Sequence, residues 1–128
     1  MTEQKEGVAH APANLKYLDF LLAVYEPREV DQKLMLLAPD EQRLLEIIAV
    51  RHAINQPLSM MQALELRDVL FLSPSAVSRK IDNLRAANLI RVVVSETDRR
   101  VKFIELTETA MSYFGRLGAL MTGCSGVE

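Results

Sequence analysis

The sequence predicts a mainly α-helical domain that carries one small β-hairpin. Three observations lead there. Val77, Ile81 and Leu84 recur at i, i+4 and i+7 in a stretch opened by Ser73 and Pro74, which is the buried stripe of a single helix. Directly after it, residues 89–94 and 100–106 form two strand-like runs, separated by the polar Ser95-Glu96-Thr97-Asp98 turn. Ahead of it, residues 40–54 and 60–69 repeat apolar side chains at helical spacing. A helix, a second helix joined to a third by a short turn, then a basic-tipped hairpin is the order of a winged helix-turn-helix. Further helices flank it on the N-terminal and C-terminal sides.

In chain order, residues 1–12 read as a disordered or loosely attached arm, polar and charged over residues 1–7. Residues 13–26 read as a helix, with Asn14 as its cap and Pro27 ending it. Leu15, Leu18, Leu22 and Tyr25 line one side, and Phe20, Leu21 and Val24 widen the apolar surface beyond one stripe. In so small a domain the four-residue face is predicted to pack against a second copy of the chain. The competing picture folds this helix back as a lid over residues 40–54. Residues 28–37 are a short helical candidate. Pro39 then takes a first helical position, where its missing N–H costs nothing, and Asp40 and Glu41 favour the positive helix end. Leu44, Leu45, Ile47, Ile48 and Ile54 make residues 40–54 a core helix.

Residues 55–57 are a loop, and Ser59 caps a helix over 60–69, with Met61, Leu64 and Leu66 able to face the core. The connection Leu70-Phe71-Leu72 lacks the glycine often found in such a turn. Ser73 then caps the recognition helix, residues 74–87, with Pro74 at its first position and Asn88 as the left-handed stop. The wing spans 89–106. Thr107 caps a last helix, which Ala110, Tyr113, Phe114 and Leu117 hold on one side and Leu120 and Met121 extend. Gly115 and Gly118 weaken it somewhat. Residues 122–128 read as a flexible tail. One domain over 13–121 results, in keeping with a length of 128 residues.

Composition excludes several classes. No apolar run approaches the ~20 residues of a membrane span, and the first seven residues lack a signal-peptide core. The single Cys124 fits a reducing cytoplasm and reads as an inert thiol. His10 and His52 have no neighbouring ligands, so no metal site is predicted. Met35, Met60, Met61 and Met111 read as gap-filling residues of a core or interface. Without a nucleophile–base pair, a phosphate loop or a metal cluster, an enzyme is not predicted, nor is a cofactor. Net charge is −2, but residues 67–102 alone hold eight basic and four acidic side chains, which leaves −6 on the remainder. A basic module on an acidic body orients a molecule on DNA.

The candidate DNA-reading face of the recognition helix holds Ser73, Ser75, Ser78, Arg79, Lys80 and Asn83. Small, hydrogen-bonding or cationic groups are what a helix needs to lie against base edges and phosphates. Arg79 is the candidate for guanine, because its planar fork donates to O6 and N7 together. Lys80, Arg85 and Arg67 are assigned to phosphates. Arg99, at the hairpin tip, is the candidate for a minor groove, whose negative potential attracts arginine.

The segments Leu72-Ser73-Pro74-Ser75-Ala76-Val77-Ser78-Arg79, Asp98-Arg99-Arg100 and Leu106-Thr107-Glu108 resemble the MarR (multiple antibiotic resistance regulator) family in order and spacing, across roughly residues 58–120. The resemblance implies a bacterial, cytoplasmic, nucleoid-associated regulator that binds double-stranded DNA as a homodimer, with an unknown small-molecule effector as a further partner. It implies that Asp98 and Arg100 brace the wing by a salt bridge. It also implies long C-terminal helices that complete the dimer. The short stretch after the wing therefore leads to the expectation that dimerisation rests on the N-terminal helix and the last helix, with the usual ligand cleft reduced or missing. The function predicted is a sequence-specific DNA-binding transcriptional regulator. The alternative is a winged-helix protein–protein interaction module that does not bind DNA.

Overall fold

The computed structural model describes residues 13–25, 34 and 36–125. Its elements are α1 (Ala13–Val24), α2 (Pro39–Ala53), β1 (Leu58–Ser59), α3 (Met60–Leu64), α4 (Arg67–Leu70), α5 (Pro74–Ala86), β2 (Ile90–Val94), β3 (Lys102–Leu106) and α6 (Glu108–Ser125). The fold is mostly helical with a small antiparallel sheet, the winged-helix arrangement predicted. The expectations for residues 1–12 and for most of 28–37 fall outside the described residues.

The recognition helix α5 is fixed locally before it is fixed by packing. Ser73 Oγ accepts from the Ala76 N–H at 3.2 Å, satisfying one free donor of the first turn. At the other end Asn88 takes a φ of 62°. There the Leu89 N–H bonds to the Leu84 carbonyl at 3.0 Å and the Asn88 N–H to the Arg85 carbonyl at 2.9 Å. This is a Schellman closure, with Leu84 and Leu89 at its two ends, both fully buried. It turns the chain directly into β2. The stripe Val77, Ile81 and Leu84 is buried in a core that includes Leu44, Leu45 and Ile48 of α2 and Ile104 and Leu106 of β3. Burial of each such side chain is worth roughly 1.5–3 kcal/mol.

The wing pairs Ile90 with Leu106 through Val94 with Lys102. A third strand joins it, unforeseen in the sequence: Leu58 pairs with Ile104 and Ser59 with Phe103, giving the order β1-β3-β2. A strand so short cannot show a period of two, so the pattern carries no trace of it. Thr107 does cap α6, accepting from the Ala110 N–H at 3.3 Å. Its hydroxyl also donates to the Asn88 carbonyl at 2.7 Å, tying the start of the last helix to the end of the recognition segment.

Several expectations need correction. Residues 60–69 are not one helix: Glu65 and Leu66 interrupt it in a tight turn, and the Leu66 carbonyl restarts the pattern by accepting from the Leu70 N–H at 2.8 Å. Met61 is exposed, not core, because at about 100° per residue it points away from the buried Ala63 two positions on. Ile54 is exposed as well, since α2 ends at Ala53 and Asn55 turns the chain with a φ of 60°. At the N-terminal side α1 already starts at Ala13, which places Asn14 inside the helix and not at its cap. Finally, α6 continues past Met121 to Ser125, with no proline to stop it.

The turn before α5 is unusual. Phe71, where the sequence lacks glycine, takes a left-handed φ of 58° and is exposed. Such a conformation is rare for a bulky side chain. α1 packs mainly on α6.

Candidate nucleic-acid interface

α5 is held by one face and offers the other. Ser75, Ser78, Arg79 and Arg85 are exposed opposite the buried stripe, and Arg67 on α4 is exposed nearby in sequence. Ser73 is exposed but engaged: besides capping the helix, its hydroxyl lies 3.2 Å from the Ser75 hydroxyl. Its first role is to start the helix at the right residue.

Lys80 and Asn83 are placed differently from the rest of the predicted face. Asn83 Nδ2 donates to Glu41 Oε2 at 2.9 Å. Lys80 Nζ lies 3.5 Å from the same oxygen and 3.4 Å from Asp40 Oδ1. The Glu41 side chain is largely buried there, and its other oxygen accepts from the Ala38 N–H at 3.2 Å. Burial pushes the Glu41 carboxyl up. The hydrogen bond from Asn83, the one from Ala38 and the Lys80 charge outweigh that, so the group is held below its ordinary value. The sequence assigns Asp40 and Glu41 only a local role as helix-end charges. In the fold they also reach the recognition helix, and Glu41 meets a residue 42 positions further along the chain. No local signal reveals that contact, because it exists only once α2 and α5 pack.

The wing tip is a braced turn. Ser95 Oγ accepts from the Thr97 and Asp98 N–H groups, both at 3.2 Å. Asp98 Oδ1 accepts from the Arg100 N–H at 3.0 Å and from its Nε at 3.1 Å, while Oδ2 accepts from Nη2 at 3.2 Å. These bonds from Arg100, the side chain first and the backbone second, hold the Asp98 carboxyl below the ordinary carboxylate range. Behind the tip, Arg91 Nε meets Glu105 Oε1 at 3.3 Å across the paired strands. Arg99 is exposed and carries no ion pair among the described residues.

The predicted dimer face divides. Leu15 is half-buried, while Leu18, Leu22 and Tyr25 are exposed by 53%, 69% and 65%. Among the described residues no helix is long and apolar enough to cross a membrane.

Residues 43–101 match the model of the MarR family. This is a MarR-like winged helix-turn-helix chain. Solved structures with a similar fold include a MarR-like transcriptional regulator from Thermotoga maritima, at 20% identity and a TM-score of 0.62, covering 88% of this chain and 73% of that one. The MepR–DNA complex of S. aureus aligns at 20% identity and a TM-score of 0.58, covering 86% of each chain. MepR bound to ethidium bromide gives the same identity and TM-score, covering 85% of this chain and 76% of that one. A comparison with curated proteins returns no match. The MarR-like fold thus spans both the recognition helix and the wing, with α1 and α6 flanking them.

Proposed function

We propose that this MarR-like chain binds double-stranded DNA sequence-specifically as a homodimer and so regulates transcription, without catalysing a reaction. The observation that carries the reading is the two-sided character of α5. Val77, Ile81 and Leu84 anchor one side completely, and Ser75, Ser78 and Arg79 stand out on the other. A helix so presented fits a major groove, with Arg85 and Arg67 near phosphates and the wing reaching the neighbouring backbone or minor groove through Arg99. The exposed apolar side of α1 supports the homodimer, because soluble monomers usually avoid such a patch. Two copies would place two recognition helices for half-sites about 34–36 Å apart. A small-molecule effector belongs to the same reading.

The test is selection of duplexes from a random pool, followed by a salt titration of the winner. Enrichment of a two-fold repeat, with affinity falling steeply as salt rises, supports the reading. Absence of any enriched sequence overturns it in favour of a protein-binding module. Two substitutions refine the picture. Arg79→Ala is expected to weaken specific binding by ~1–3 kcal/mol and relax preference at one base position, the value of a good bidentate contact. Unchanged base preference in competition removes Arg79 from base reading. Arg99→Ala is expected to weaken binding evenly across sequences and lower the salt slope by about one phosphate-equivalent. An unaltered slope means the wing tip does not touch the backbone.

A further inference from the structure

Asn83 lies on the exposed side of α5, one turn beyond Arg79 and two beyond Ser75. Its amide is engaged at one end. Glu41 Oε2 takes one of its two Nδ2 hydrogens at 2.9 Å. An ionised carboxylate only accepts hydrogen bonds. The flipped amide would set Oδ1 against that oxygen and lose the bond, so the chemistry of the pair fixes which end of the amide faces Glu41. Glu41 is itself fixed from three sides, by the Ala38 N–H at 3.2 Å, by Lys80 Nζ at 3.5 Å and by its own burial at the α2–α5 contact.

This leaves Asn83 with Oδ1 and the second Nδ2 hydrogen unspent. With Glu41 taking the Nδ2 hydrogen anti to Oδ1, the remaining hydrogen lies beside Oδ1 on the planar amide, and the two together match the N6 donor and N7 acceptor of adenine in the major groove. We propose that Asn83 reads an adenine and that Glu41 is the positioning residue that sets its amide for that base. The inference rests on the DNA-binding reading above and adds the base and the residue behind it. Spacing supplies a second constraint. Arg79 and Asn83 are four residues apart, so about 6 Å along the helix axis. At roughly 3.4 Å per base pair that is about two steps of duplex. The adenine is therefore expected about two base pairs from the guanine assigned to Arg79.

The experiment compares base preferences selected by the full-length protein and by Asn83→Ala, Glu41→Ala, Glu41→Gln and the double Asn83→Ala/Glu41→Ala. Circular dichroism and thermal melting verify that each variant folds. Asn83→Ala is expected to lose an adenine preference of between about 5- and 150-fold at one position, the fold-change equivalent of a bidentate contact. Glu41→Ala is expected to lose most of the same preference at the same position and to retain the guanine preference. The double variant loses no more than Asn83→Ala alone. Glu41→Gln keeps the size of the side chain but can present an oxygen or an NH2 to Asn83. It weakens the preference, and it decides the matter where the alanine variant folds poorly.

An adenine preference that disappears in Asn83→Ala and survives intact in the folded Glu41 variants overturns the positioning role. Preferences unchanged in Asn83→Ala overturn the whole inference, while the selection by the parent protein keeps the DNA-binding reading standing. No selected sequence for the parent protein overturns both.

Discussion

A chain that begins at Arg28 is expected to sediment as a monomer and to lose about 10²–10⁴-fold in affinity for a two-half-site duplex, the factor that simultaneous engagement of two sites contributes. Its affinity for an isolated half-site changes little by comparison. The reason lies in how α1 is used. Leu18, Leu22 and Tyr25 stand exposed at i, i+4 and i+7, with the half-buried Leu15 one turn before them. α1 itself rests on α6. Under this reading a second copy covers the exposed apolar side of α1. The winged-helix core draws on α2, α5 and β3 side chains, so it is expected to stay folded after truncation. Loss of the fold itself would mean that α1 is an integral part of the core. A truncated protein that remains a folded dimer with full operator affinity would place the interface in α6 instead.

Ile81→Ala is expected to cost about 2–5 kcal/mol of folding stability. Against a total of roughly 5–15 kcal/mol for a typical domain, that leaves the protein marginal. Ile81 is only 1% exposed, between Val77 and Leu84 on the single stripe that holds α5 in place. Truncating it shortens a side chain in a packed interior and leaves a cavity that fixed neighbours on α2 and β3 fill poorly. Urea denaturation measures the effect as a drop in midpoint at constant slope. A loss below about 1 kcal/mol would mean that the stripe does not set the recognition helix, since core truncations of this size usually exceed it. Arg79→Ala provides the contrast. Its guanidinium is exposed on the opposite face of the same helix and packs into no part of the core. Stability is therefore expected to change by no more than about 0.5 kcal/mol, although the DNA contact proposed for Arg79 would be lost.

The sequence by itself determined the recognition helix and the wing. Ser73 and Pro74 start α5, Asn88 ends it, and Val77, Ile81 and Leu84 set its phase. The Asp98–Arg100 contact also spans two residues. All of these are local: a cap, a turn or one helical period is written within a few residues, where hydrogen-bonding geometry and side-chain direction leave few choices. Tertiary structure alone decided the rest. β1 exists because Leu58 and Ser59 meet β3, not because two residues prefer to be a strand. The break after Leu64 and the outward turn of Met61 depend on which side chains the core can accept. α1 settles on α6, leaving Leu18, Leu22 and Tyr25 outside. Glu41 reaches Asn83 across 42 positions, a contact that no sequence window contains. Its existence depends on the angle and register at which α2 packs against α5, and those are set by the whole core at once.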